Sequence, residues 1–318
     1  MHSRTIITAL TTAATMGLAG PAAAQTVLSE QPRPFSVDAT PGVIVFSQYQ
    51  EDLDAYNLVA REDGVERTLN VEPSPVPFDV DVGTSSTGKL VAVYSRSVSD
   101  EEVDLFRYSF AGDSETRLTS LSIEGAVERD PSVHRGQIAF VRATSEGSRL
   151  MVGNTGANGA PRTLVTRRGS VGPIRDPDLS RLRVAYTTVG QGGDRRFQAM
   201  HVRNLGNGKD RTVKVVASGQ LSFAALTGAS FSHTGKALYF ASTNVGAGMG
   251  NRYLRWSATQ GLRDTRGTSQ AVNTAWAGGS LGMLVVRNPA PDGTCSANTT
   301  MQGTCDLIAT GPLTFTRP

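Results

Sequence analysis

The sequence is poor in the residues from which reactive centres are usually built. Only 2 cysteines and 4 histidines occur in 318 residues, which excludes a disulfide-dense scaffold and leaves little for a histidine-based site. Aromatic residues make up 6% and charged residues 19%, against 39% hydrophobic. That balance is too apolar for a disordered chain and supplies enough material to bury a core. Beyond the N-terminus there is no uncharged apolar run of about 18 residues, so the body of the chain has no membrane-spanning helix to offer. Neither sign of charge dominates: the formal net charge is +3. The densest basic clusters, Arg162 with Arg167-Arg168 and Arg195-Arg196, carry no interleaved aromatics. They read as solvated loop faces rather than nucleic-acid contacts. What the chain does have is glycine (34) and proline (15), which favour many turns and short strands over long helices.

Residues 1–24 read as a signal peptide. Arg4 supplies the positive start, Ile6 to Leu18 a mildly apolar centre, and Ala22-Ala23-Ala24 a small-residue cleavage site. The remainder, residues 25–318, is expected to be one exported domain, secreted or periplasmic, and no Cys follows the cleavage site to take a lipid. In an oxidising compartment Cys295 and Cys305 are expected to form a disulfide, because their spacing suits neither a metal pair nor a redox pair.

A repeat organises the rest. Six apolar runs share one character: Val43-Ile44-Val45-Phe46, Val91-Ala92-Val93-Tyr94, Ile138-Ala139-Phe140-Val141, Val184-Ala185-Tyr186-Thr187, Leu238-Tyr239-Phe240-Ala241 and Leu284-Val285-Val286-Arg287. Their starts lie about 48, 47, 46, 54 and 46 residues apart, the period of propeller blades rather than helical repeats. Turn signals such as Thr87-Gly88-Lys89, Arg135-Gly136-Gln137 and Thr234-Gly235-Lys236 precede several of them. An amphipathic run follows each, as in Asp104 to Tyr108 or Ala199 to Arg203, and then a polar run, as in Glu115 to Leu118 or Leu313 to Thr316. With an innermost strand before each turn, for example Arg129 to Val133, the unit has four strands. The pattern predicts an all-β, six-bladed β-propeller with four antiparallel strands per blade, each repeat supplying its own outer strand.

The units also resemble the TolB-type propeller repeat, whose turn reads Trp-Ser-Pro-Asp-Gly-Lys before an Ile-Ala-Phe-like strand. The best copy is Phe231-Ser232-His233-Thr234-Gly235-Lys236-Ala237-Leu238-Tyr239-Phe240, followed by Ser85-Ser86-Thr87-Gly88-Lys89-Leu90-Val91-Ala92. Trp276 keeps the aromatic alone, and Arg129-Asp130-Pro131 and Arg175-Asp176-Pro177 stand where that family's inner strand begins. The resemblance covers nearly all of residues 36 to 318 and implies a stand-alone propeller without the family's amino-terminal domain.

Candidate chemistry concentrates on the inner strands. Asp79, Asp81, Arg129, Asp130, Arg175 and Asp176 recur near their starts, so radial geometry is expected to gather them around one mouth of a central channel. They could bind a ligand there, or pair with one another across blades to tie the ring. Gly278-Gly279-Ser280-Leu281-Gly282 matches the serine-hydrolase elbow, but a strand follows where a helix is required. His134 and His233 occupy turn positions that the repeat is expected to hold apart, and His201 sits within a second strand. Glu51-Asp52-x-Asp54 lacks the glycine and terminal glutamate of a calcium loop.

The expected role is therefore a non-enzymatic binding or scaffold protein. It is expected to be monomeric and without cofactor or nucleic-acid partner, and to recognise a protein, a peptide or an envelope glycan at the channel mouth. The alternative is a polysaccharide lyase or glycoside hydrolase using the mouth carboxylates. In a third reading the ring only presents its loops 244–251 and 291–303.

Overall fold

The computed structural model describes residues 25–317 apart from 34, 100–101, 157–158, 170–171, 193, 219–222, 246–251, 267–270 and 288–304. Residues 1–24, Cys295 and most of the two glycine-rich loops therefore lie outside the described residues, as does the expected disulfide. The described chain is all-β, with one 3-10 turn at Thr119–Leu121.

Four-stranded antiparallel meanders succeed one another along the chain. The first comprises β2 (Val37–Thr40), β3 (Val43–Gln50), β4 (Ala55–Glu62) and β5 (Val65–Thr68), and an earlier strand, β1 (Thr26–Gln31), stands apart from it. The second is β6 (Val80–Thr84), β7 (Leu90–Ser97), β8 (Val103–Ser109) and β9 (Ser114–Arg117). The third is β10 (Val127–His134), β11 (Gln137–Thr144), β12 (Gly147–Asn154) and β13 (Arg162–Arg168). A single parallel pair, Val127 with Val103, joins these two into one eight-stranded sheet. The fourth is β14 (Ile174–Ser180), β15 (Arg183–Gly192), β16 (Arg195–Asn204) and β17 (Asp210–Ser218). The fifth is β18 (Phe223–Phe231), β19 (Leu238–Val245), β20 (Arg252–Ser257) and β21 (Gly261–Arg266). The last has β22 (Ala271–Gly278), β23 (Gly282–Arg287) and β24 (Cys305–Ala309).

Each second strand carries one of the apolar repeats, β-branched and aromatic as a strand buried on both faces requires. Apolar clusters then fill the spaces between successive meanders. Leu105, Phe140 and Met151 join the second and third; Val141, Leu150 and Tyr186 the third and fourth; Met200, Phe240 and Trp256 the fourth and fifth. Tyr253, Val285 and Ile308 join the fifth to the last, and Phe46, Phe78, Tyr94, Val286 and Leu307 join the last to the first and second. The first strands pack in the same order: β2 on β6, β6 on β10, β10 on β14, β14 on β18, β18 on β22, and β22 on β2. Their approach is backbone to backbone. A Cβ on Gly83 would sit 2.4 Å from the Val133 carbonyl oxygen, and one on Gly228 would sit 2.2 Å from that of Thr274, so only glycine fits at either place.

The last meander departs from the expected pattern. Leu313 to Thr316 is not its outer strand; that place belongs to β1, which pairs antiparallel with β24 from Thr26 opposite Ala309 to Gln31 opposite Cys305. Thr316 instead makes an isolated bridge to Asp264 on β21. The first described strand thus completes the last sheet. Gln31 fixes the join: its amide donates to the Ser47 carbonyl at 3.1 Å and accepts the Tyr49 N–H at 2.9 Å. The basic clusters differ too, because Arg162, Arg167 and Arg168 lie on β13 and Arg195 and Arg196 open β16, so they are strand rather than loop residues.

Candidate functional site

The first strands pack against one another in chain order, with β22 returning onto β2, and a belt of short polar side chains crosses their contacts. Each belt residue accepts a hydrogen bond from a backbone N–H of the next first strand. Asp38 accepts from Val82 at 2.8 Å, Asp81 from Val133 at 2.9 Å, Ser132 from Leu179 at 2.8 Å, Asp178 from Phe231, and Ser230 from Trp276 at 3.0 Å. Ser132 also donates to Asp178 at 3.1 Å. Counting on by the same step, the next belt position is Ala275, which has no acceptor to give to β2. Enclosure by the neighbouring sheets is the main influence on the three belt carboxyls. It lifts Asp81 to about 7 and holds Asp38 and Asp178 well above the usual carboxylate range, with repulsion from Asp81 adding to both.

At one end of the belt, where the first strands begin, β10 and β14 each carry a bulge at Arg-Asp-Pro. Asp130 and Asp176 adopt left-handed backbone there, with φ of 49° and 47°; at the same point of β18 the residue is Gly228, φ 57°. Asp tolerates this region better than most side chains, but the conformation still costs energy and re-aims the strand. The bulges turn Asp130 and Asp176 toward Asp79. The Asp130 carboxyl lies beside the Asp176 N–H, which favours its charged form, and beside the Asp79 carboxyl. Burial, then the charge of Asp130, pushes both Asp79 and Asp176 up to about 7. Burial also raises Asp130, against the pull of Arg129. Ser95 donates to Asp79 at 3.2 Å and completes this bulge end.

Of the six residues singled out from the sequence, five meet at the bulge end: Asp79, Arg129, Asp130, Arg175 and Asp176. Asp81 does not join them; it belongs to the belt. Arg129 and Arg175 make none of the ion pairs found among the described residues, and the buried Nε of Arg129 has no hydrogen-bond partner. Cross-blade Arg–Asp pairing, the structural alternative, is thus not formed by these residues.

At the opposite end, where first strands turn into second strands, lies a cavity of about 1080 Å³ with Asp38, Asp81 and Asp178 in its wall. His134 and His233 both line it, so the expectation that the repeat holds them apart is corrected: the turns of the third and fifth meanders converge. Ser280 lines it as well, exposed in the β22–β23 turn with a strand after it, and is no hydrolase elbow. His201 is accounted for by structure alone. It stacks on Tyr186, lies 3.0 Å from the Thr188 hydroxyl and 3.6 Å from Asp210. Asp54 is likewise satisfied, hydrogen-bonded by Tyr49 and paired with Arg33 at 3.2 Å. Among the described residues no group of three or more His, Cys, Asp or Glu side chains could hold a metal ion, and no helix is long and apolar enough to cross a membrane.

Sequence reasoning missed Asp38 and Asp178. Both were detectable as short polar residues immediately before an apolar one, in step with Asp81, Ser132 and Ser230.

No protein-family model matches the chain, and no curated protein matches it. Solved structures do. The TolB protein of Acinetobacter baumannii is similar over 84% of this chain and 63% of its own, with a TM-score of 0.58 and 13% identity. An oligogalacturonate lyase in complex with manganese is similar over 84% of this chain and 74% of its own, at TM-score 0.54 and 14% identity. A chain of a nidogen/laminin complex gives 81%, 86%, 0.51 and 11%. This chain spans somewhat under two thirds of the TolB chain. At such identities the likeness is one of architecture, and it agrees with the strand pattern: the protein has a TolB-like β-propeller fold.

Proposed function

We propose that this protein is an exported, non-enzymatic binding propeller: six blades closed into a ring that recognise a protein, a peptide or an envelope glycan at the bulge end of the channel. Its N-terminal 24 residues would direct export to the periplasm or beyond and be removed there, where Cys295 and Cys305 would pair. Ring closure is supported by the return of β22 onto β2 and by the pairing of β1 with β24. The binding reading rests on one observation above the others. Arg129 and Arg175 stand beside Asp130 and Asp176 without forming ion pairs with them. Cations in that state can take a carboxylate or phosphate of a partner, and carboxyls held near 7 can accept from or donate to its polar groups.

The test is a variant carrying Arg129→Gln, Asp130→Asn, Arg175→Gln and Asp176→Asn, in which Asn retains the tolerance for left-handed backbone. Peptide and glycan arrays probed with wild type and variant should lose their shared hits by at least tenfold while the melting temperature moves by only a few degrees. Retention of those hits would remove the bulge end as the site.

A second reading has its own support. Burial raises Asp79 to about 7 and raises its neighbour Asp130 as well, and a carboxyl able to carry a proton near neutral pH beside a second carboxyl is what acid–base cleavage of a glycan needs. Incubation with acidic and neutral polysaccharides decides it: new reducing ends or unsaturated products that vanish in Asp79→Asn would establish an enzyme.

A further inference from the structure

The cavity at the turn end is furnished differently from the bulge end and is not used by the reading above. Its rim gathers His134 at the end of β10, Arg135 from the β10–β11 turn and His233 from the β18–β19 turn, with Arg181 on the β14–β15 turn acting on His134. None of these four bases makes an ion pair among the described residues. The belt carboxyls cannot serve them well. Each already accepts a strand N–H, and each is held toward its neutral form. Arg61, also in the lining, is engaged with Glu66 at 3.1 Å and with the Leu28 carbonyl, which leaves Asp63 as the remaining carboxylate there.

The field at the rim agrees with this count. His134 is held below the usual histidine value by burial first, and then by Arg135, His233 and Arg181, all basic. An imidazole placed near three carboxyls would ordinarily be shifted the other way.

Two further features narrow the ligand. The wall is rich in hydroxyls, from Ser85, Ser86, Ser180, Ser232 and Ser280, which exchange hydrogen bonds with a polyol in either direction. Trp276 also contributes to the wall, its ring held parallel to Tyr239 with centroids 3.6 Å apart. A rigid aromatic of this kind offers an apolar surface and an indole N–H together. A plain inorganic anion would use neither, and a volume of about 1080 Å³ is far larger than one would need.

We propose that the turn-end cavity is a binding site for an anionic saccharide, its carboxylate or phosphate held by Arg135, His134 and His233 and its ring against Trp276. The site is separate from the bulge end, so it stands or falls independently of the function proposed above.

The experiment is a calorimetric titration of the whole mature chain with an oligomer of glucuronic acid, its methyl ester, glucose 6-phosphate and inorganic phosphate. Tryptophan emission is followed in parallel; the other tryptophan, Trp256, is buried. The acidic oligomer or the sugar phosphate should bind and perturb the emission, and the difference between them identifies which anion is preferred. The methyl ester and inorganic phosphate should each bind at least tenfold more weakly. The pair Arg135→Asn with His233→Gln, both on exposed turns, should reduce affinity at least tenfold. Arg162→Gln, a charge change on exposed β13, should not. Melting curves establish that each variant is folded, and Arg181→Gln, outside the lining, should give a smaller loss in the same direction. Equal binding of the methyl ester, equal binding of inorganic phosphate, unchanged binding by the double variant, or no binding of either charged sugar would each overturn the proposal.

Discussion

Five of the contacts between successive first strands are stitched by the same device, and the contact between β22 and β2 is not. At each of the five, a belt Asp or Ser accepts an N–H from the neighbouring first strand, so first strands that form no ladder with each other still satisfy a buried amide between them. Between β22 and β2 the belt position is Ala275, 1% exposed. The N–H of Ala39, which would be the donor there, lies beside the carboxyl of its own neighbour Asp38 and lowers its pKa slightly against the effect of burial. Other means hold this seam: the largest apolar cluster, which crosses it, and β1, which pairs with β24 while Gln31 reaches into β3. The five stitched joints link meanders that are neighbours in the sequence. The contact of β22 with β2 brings together segments more than 230 residues apart, and beside it β1 pairs with β24, more than 270 residues away along the chain.

The largest effect should come from breaking that joint. Deleting residues 25–31 uncovers β24, whose Leu307 and Ile308 are fully buried, and leaves an unpaired apolar edge. We expect loss of most of the about 5–15 kcal/mol available to a domain, seen in calorimetry as a broad, low-temperature transition. A sharp transition near that of wild type would mean that the apolar cluster alone closes the seam.

Next in size is a stitched joint. Asp178→Ala leaves both the Phe231 N–H and the Ser132 hydroxyl without their acceptor. Each orphaned buried group costs about 1–3 kcal/mol, so urea denaturation should register a loss of about 2–5 kcal/mol. Ser230→Ala, which orphans only the Trp276 N–H, should cost about 1–3 kcal/mol.

Acidity sharpens the comparison between the belt and the bulge end. Asp79, Asp81 and Asp176 are raised to about 7 in the folded chain, against about 3.9 when unfolded. Between those values the folded state binds more protons, so stability is greatest below about pH 4 as far as these groups are concerned, and it declines as pH rises through 7. Asp176→Asn should therefore stabilise the protein at pH 8 by about 1–2 kcal/mol, allowing for solvent in the channel, and change little at pH 4. Equal melting temperatures of variant and wild type at pH 8 would show that burial does not raise the Asp176 carboxyl in this way.

How much of this could be read from residues alone follows from which interactions are local. The second strands were legible because burial on both faces writes itself as runs such as Ile138 to Val141. Arg129-Asp130-Pro131 and its copy at 175–177 were legible because a left-handed residue before proline restricts the choice of side chain. The outer strand of the last meander was not. Thr26 to Gln31 and Leu313 to Thr316 are equally short and polar, and edge pairing depends on backbone groups that every residue carries. The convergence of His134 with His233 was hidden too, because a period says how far apart two turns lie along the chain and nothing about how closely their sheets approach in space.

The smallest effect, and the most direct check on why the sixth seam differs, comes from giving it the missing group. Ala275→Ser places an acceptor in step with Ser132 and Ser230. If the absence of a stitch were merely an omission, the new hydroxyl should contribute about 0.5–1.5 kcal/mol, the usual net value of a buried hydrogen bond. The Ala39 N–H, however, already lies beside the Asp38 carboxyl, so the serine must compete with that carboxyl for the donor while burying a hydroxyl beside Leu284, its partner residue on β23. The gain should then fall short of about 0.5 kcal/mol or become a loss of similar size. Combining Ala275→Ser with Asp38→Asn separates the two cases. Replacing the carboxylate with an amide weakens its hold on Ala39 and frees that donor, so the serine should stabilise the Asp38→Asn variant more than it does the wild type. Strict additivity in this cycle would show that the two positions do not share the amide.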